Sequence, residues 1–149
     1  MSYYEYRHRV GLEETNVAGN VYFTHYLRWQ GRCREMFLQQ YAPEVVSDLA
    51  SGLVLATTRV ACSYYRELQP LDEVVIRMSA VAMTPSRLTM AFLYVRSAPG
   101  GDEELVAEGE QEVACMRRHG DRTEPAPLPQ ALRDAVEIYM SGPAAALAD

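Results

Sequence analysis

Between Tyr4 and Val10 the aromatic and apolar residues fall on every second position, at Tyr4, Tyr6, His8 and Val10, which is the period of a half-buried strand. From Glu13 to Gly19 the periodicity is lost, and Asn16 and Gly19 mark a loop. The steps then change to fours and threes. Tyr22, Tyr26, Trp29, Cys33, Met36 and Gln40 lie on one stripe of a helix of about five turns, and the Tyr22 to Met36 part of it is expected to be core. Pro43 to Leu49 can form a second, short helix, with Pro43 in its first turn and Gly52 beyond its end. Four β-rich segments follow, Leu53 to Arg66, Glu73 to Met83, Arg87 to Arg96 and Glu104 to Arg117. Their breaks are short and rich in Pro, Gly and Asp, so neighbouring strands are expected to pair as antiparallel hairpins in a meander. In the third, Leu88, Met90, Phe92 and Tyr94 share the better buried face. Thr123 to Pro127 reads as a break, Pro129 to Met140 as a short amphipathic helix through Leu132, Ala135, Val136 and Tyr139, and Ser141 to Asp149 as a loose tail.

Strand, long helix and four strands make an α+β plan, with a sheet wide enough to wrap one buried helix. Such a sheet leaves its other face uncovered, so a homodimer or homotetramer is expected. The 149 residues suit one domain over 1–149, with the short helix and tail from about 123, and no repeat is visible. Composition narrows the function classes. A formal charge of −6 argues against a surface that tracks nucleic acid phosphates. No apolar run approaches the ~20 residues that span a bilayer, and the opening MSYYEYRHRV lacks an apolar signal core, so the expectation is a cytoplasmic protein with no membrane segment. Cys33, Cys62 and Cys115 are odd in number and far apart, and His8, His25 and His119 are scattered, so neither disulfide nor metal site is expected.

The stretch Glu14-Thr15-Asn16-Val17-Ala18-Gly19-Asn20-Val21-Tyr22-Phe23-Thr24-His25-Tyr26-Leu27-Arg28-Trp29 resembles the signature of the 4-hydroxybenzoyl-CoA thioesterase family of hot-dog proteins. The resemblance covers roughly residues 3 to 118 and implies a hot-dog fold, an antiparallel sheet wrapped around one long central helix. Most of that family carries a catalytic aspartate at the position that is Asn16 here. Together with Arg28-Trp29-Gln30-Gly31-Arg32-Cys33-Arg34-Glu35-Met36-Phe37, the block is similar to a narrower branch, the thioesterases that accompany enediyne polyketide synthases. For that branch the resemblance implies Asn16 and Arg34 as the central polar pair. It implies hydrolysis of a β-keto polyene held on an acyl carrier protein, with later loss of carbon dioxide and no cofactor.

The residues permit this chemistry. Attack on a thioester makes an oxyanion, and fixed donors aimed at it lower the barrier by ~3 to 4 kcal/mol each in favourable sites. Arg34 and the Asn16 amide are such donors, but a guanidinium is no base at neutral pH. Glu67, Tyr26 and His25 are the candidates to position water, with Glu67 first. Gly19 and Phe23 are expected to offer backbone N–H groups at the helix start, and Gly19, Phe23, His25 and Tyr26 form the expected substrate-binding set. Arg28, Arg32, Arg34, Arg117 and Arg118 are candidates for docking an acidic carrier protein. Taken alone, Asn16 is a loop or capping residue and Arg34 an exposed helix charge. Two rival functions stay open: a general acyl-CoA thioesterase, against which Asn16 counts, and a non-catalytic accessory protein that shields a polyene.

Overall fold

The computed structural model describes residues 2–98 and 100–140; the expected tail from Ser141 lies outside the described residues. β1 (Tyr4–Arg9) leads through a single 3-10 turn at Leu12–Glu14 to the long helix α1 (Phe23–Tyr41) and the short α2 (Pro43–Leu49). Strands β2 (Leu53–Tyr64), β3 (Glu73–Met83), β4 (Arg87–Ser97), β5 (Glu103–His119) and β6 (Arg122–Pro125) follow, then α3 (Gln130–Glu137). The sheet order is β1-β3-β4-β5-β2, all antiparallel, with β6 paired to β5. One curled antiparallel sheet around one long helix is the hot-dog arrangement that the α+β pattern and the resemblance imply.

The alternation on β4 holds: Leu88, Met90, Phe92 and Tyr94 are buried against α1 while Arg87 is exposed and Thr89, Ala91 and Leu93 are half-buried. On α1 the apolar stripe is rotated from the expected one. Tyr26, Trp29, Cys33, Phe37 and Leu38 are buried, joined by Gln30, whereas Tyr22 is 48% exposed and Gln40 is exposed. Tyr22 falls outside the core because it caps the helix in extended conformation, so the helical period does not yet apply to it.

The expected hairpin between β2 and β3 does not form. β2 pairs with β5, and residues 65–72 cross the end of the sheet, a span of three strand spacings or about 14 Å. The fully buried Leu68 anchors the crossing, its carbonyl accepting the Val21 N–H at 2.9 Å. Arg96 on β4 ties it down through the Glu67 carbonyl and the Asp72 carboxylate, at 2.9 and 3.0 Å. Gln69-Pro70-Leu71-Asp72 is a turn, as its composition suggests, but it only delivers the chain into β3, and its Leu71 carries a φ of 70°. Thr123 to Pro125, read from its prolines as a break, pairs with β5 instead, because Gly120 at φ 64° allows a tight reversal after His119. β2 forms one edge, with Thr57, Thr58, Arg59, Val60 and Ala61 exposed.

Candidate active site

The segment before α1 is built on one carboxylate. Glu14, 2% exposed, accepts from His8 Nε2 at 2.7 Å, the Gly11 N–H at 2.9 Å, Arg28 Nη2 at 2.7 Å and Trp29 Nε1 at 2.8 Å. Burial alone would raise its pKa, but the bonds from Gly11, His8 and Trp29 outweigh it and hold the group down at about 2. Glu14 thus fixes β1, the 3-10 turn and the second turn of α1 in one knot. From that knot the chain makes a tight loop closed by the Thr15–Val21 bridge. Asn16 donates its N–H to the Asn20 carbonyl and accepts the Ala18 N–H on its side-chain oxygen, both at 2.9 Å, which leaves its amide NH₂ outward on an exposed residue. Gly19, at φ 87°, gives its N–H to the Asn16 carbonyl, so that donor is spent inside the loop and not offered to a ligand. The N–H groups of Phe23 and Thr24 do remain free of helical partners, because α1 starts without a side-chain cap.

Near this loop lie Phe23, 51% exposed, whose carbonyl accepts the Tyr64 hydroxyl at 3.1 Å, and the half-buried His25. Glu67 is exposed on the crossing connection, one residue before the Leu68 carbonyl that holds Val21. Tyr26 belongs to the core rather than to a substrate-binding surface. It is 3% exposed among Trp29, Tyr64 and Tyr94, and burial pushes its hydroxyl up to about 12, which removes it as a base.

Arg34 stands elsewhere. A rise of 1.5 Å per residue puts it about 16 Å along α1 from Phe23. Its Nη1 donates to Gln111 Oε1 at 2.6 Å and lies 3.4 Å from Thr57 Oγ1, and Thr57 is about 23 Å along β2 from Tyr64 at ~3.3 Å per residue. The two halves of the expected polar pair therefore sit in different regions of one chain. Burial draws the guanidinium pKa down and Glu35 partly offsets this, yet an arginine stays charged. Its aliphatic stem lines an apolar crevice together with Phe37, Leu38, Leu55, Leu88, Met90, Val113 and Leu132. The cavity is narrow, about 10 Å³, room for about one water.

Of the other candidate docking arginines, Arg28 is held by Glu14, Arg32 by Glu35 at 3.4 Å, and Arg117 by both oxygens of Asp48 at 2.8 and 3.0 Å. Each of these three thus has a carboxylate partner within the chain, while Arg28 and Arg32 stay exposed. Sequence reasoning passed over Glu14, Gln30 and Gln111 as functional groups. The signal available for Gln30 was its place on the buried side of α1, between Trp29 and Cys33.

The model of the thioesterase-like superfamily matches residues 10–136. The dynemicin thioesterase, whose crystal structures were described in terms of induced fit and allosteric effects upon polyene binding, is 47% identical, with 94% of this chain and 99% of that chain covered and a TM-score of 0.90. A 1,4-dihydroxy-2-naphthoyl-CoA hydrolase of Thermosynechococcus vestitus is 26% identical over 135 residues, 89% of this chain and 90% of the relative. The 4-hydroxybenzoyl-CoA thioesterase of Pseudomonas sp. strain CBS-3 shares the fold at 17% identity, with 91% and 99% of the chains covered and a TM-score of 0.79. On the match across most of its length and on this fold, the chain belongs to the thioesterase-like superfamily.

Proposed function

We propose that this thioesterase hydrolyses the acyl carrier protein thioester of a β-keto polyene made by an iterative enediyne polyketide synthase. The observation that carries the reading is a charged Arg34 whose hydrogen-bond partners among the described residues are all neutral and whose stem borders an apolar crevice. A long unsaturated chain suits the apolar walls, and a carbonyl that becomes negative suits the guanidinium. The 47% identity to a thioesterase described in terms of polyene binding supports the same substrate class.

In this reading water adds to the thioester carbonyl carbon, and Arg34, the Asn16 amide and the free N–H groups of Phe23 and Thr24 receive the oxyanion. The C–S bond then breaks, the carrier thiol leaves with a proton, and the acid departs. Glu67, the exposed carboxylate beside the Asn16 loop, positions the water and takes its proton. Decarboxylation of the β-keto acid would follow, and Arg34 can stabilise the resulting enolate as it does the oxyanion.

The separation of Asn16 from Arg34 within one chain calls for a second copy. A homodimer along the free β2 edge, where Val60 is 39% and Tyr64 42% exposed, would bring the loop of one copy toward the crevice of the other and also cover the unpaired strand. A back-to-back homotetramer would use the sheet's outer face.

The test is release of free thiol from a β-ketoacyl carrier-protein thioester by the natural protein, Arg34→Ala and Asn16→Ala. A fall of at least tenfold in both variants is expected, since one oxyanion donor is worth ~10²–10³ in kcat. No release above the buffer rate by the natural protein would put the polyene-binding accessory protein in its place. Equal turnover of simple acyl-CoA esters would favour the general thioesterase.

A further inference from the structure

Gln30 is fully buried and Gln111 is 4% exposed, at positions where an apolar core would ordinarily place leucine or methionine. They form a chain. Arg34 Nη1 donates to Gln111 Oε1 at 2.6 Å, Gln111 Nε2 donates to Gln30 Oε1 at 3.5 Å, and Gln30 Nε2 donates to the Ala61 carbonyl on β2 at 3.1 Å. The two ends leave no choice of direction, because a guanidinium only donates and a backbone carbonyl only accepts. Room for the Gln30 amide exists because residue 109 is glycine: a Cβ there would overlap Gln30 Nε2.

A buried carboxamide costs free energy unless its hydrogen bonds are made, so this pair needs a reason beyond packing. A carboxylate at position 111 would grip Arg34 more strongly than an amide does, as carboxylates grip Arg28, Arg77, Arg87, Arg96 and Arg117 in this chain. It would also cancel the charge. Arg34 makes no ion pair among the described residues, and its two hydrogen-bond acceptors are both neutral.

We propose that Gln111, locked in orientation by Gln30, is a positioning residue that fixes the Arg34 guanidinium while leaving its charge uncancelled. The apolar crevice beside the Arg34 stem and the uncancelled guanidinium together suit an apolar chain whose carbonyl end carries or develops negative charge. The turnover part of this proposal rests on the thioesterase reading; the binding part does not.

Gln111→Glu keeps the shape and the acceptor and supplies the cancelling carboxylate but gives up the donor to Gln30, whereas Thr57→Asp adds the charge with both glutamines in place. Thr57→Asp brings a carboxylate to the same guanidinium from the exposed β2 edge, and it serves if Gln111→Glu fails to fold. The probe is cis-parinaric acid, a fluorescent tetraene carboxylate, titrated into natural protein and both variants, beside unfolding midpoints and thiol release. The expected result is saturable binding to the natural protein, weakened at least tenfold in each folded variant, with kcat down at least tenfold in both. Binding and kcat within twofold of natural in folded Gln111→Glu, or in Thr57→Asp where the first variant does not fold, would overturn the proposal and leave Gln111 a packing residue. Absence of saturable binding to the natural protein would overturn it too. If the natural protein binds the probe, the variants do not, and no thiol is released, the proposal stands and the thioesterase reading fails.

Discussion

Replacing Glu14 by glutamine tests how tightly the loop that carries Asn16 is anchored. The carboxylate holds a proton with a pKa of about 2 in the folded protein against an ordinary 4.5. At 1.36 kcal/mol per decade this difference corresponds to about 3 kcal/mol of stability at pH 7. Because the folded value is depressed, the contribution is complete above pH 4.5 and is lost as pH falls toward 2. Roughly 1 kcal/mol of it is left at pH 3 by the same relation. Glu14→Gln keeps the volume but replaces an acceptor oxygen by an NH₂ group facing donors from His8, Gly11, Arg28 and Trp29. The variant is therefore expected to lose at least about 3 kcal/mol at pH 7, read from urea unfolding at fixed protein concentration. Between pH 7 and pH 3 the gap to the natural protein should close by about 2 kcal/mol, because protonation removes the natural carboxylate's advantage as well. A gap that stays constant across that interval would refute the electrostatic account of the anchor, whatever its size.

If the active site joins Asn16 of one copy to Arg34 of another, equimolar mixing and re-equilibration of Asn16→Ala with Arg34→Ala should restore roughly a quarter of natural turnover by random assortment; no recovery would place both residues in one chain's site. Gly109→Ala is expected to cost about 1–3 kcal/mol, since Gln30 is enclosed and cannot yield without losing the Ala61 bond. Its denaturant midpoint decides the matter, and an unchanged midpoint would show that the two glutamines are not packed as described.

Much of the fold was legible because its signals are local. β4 alternates in its side chains, α1 repeats at the helical period, and α3 shows Leu132, Ala135 and Val136 at helical spacing. The partner of β2 was not legible, because Thr58 meets Glu112 across 54 residues of sequence and no local pattern encodes that choice. Hairpin logic favours the next strand in line; the buried Leu68 and the Arg96 contacts favour the crossing. Of the site, Asn16 and Arg34 stood out through the block around them, whereas Gln111 looks like an ordinary polar position between Glu110 and Glu112 until Arg34 is seen beside it. Tyr26 shows the opposite case. Its place in the motif suggested a ligand contact, but its place in the helical period puts it in the core.

The crossing connection also bears on the order in which the molecule forms. The turn between β3 and β4 closes within a few residues, Thr84 capping Arg87, so that hairpin is cheap to form early. β2 can be seated only after β5 exists, and Arg34 reaches Gln111 across 77 residues of sequence. β2 carries both Tyr64, beside the Asn16 loop, and Thr57, beside Arg34, so the crevice is completed late in folding. The converse holds for the native chain: a fluctuation that lifts β2 from β5 parts Thr57 from Arg34 and Tyr64 from the Phe23 carbonyl while the β3-β4-β5 meander stays intact.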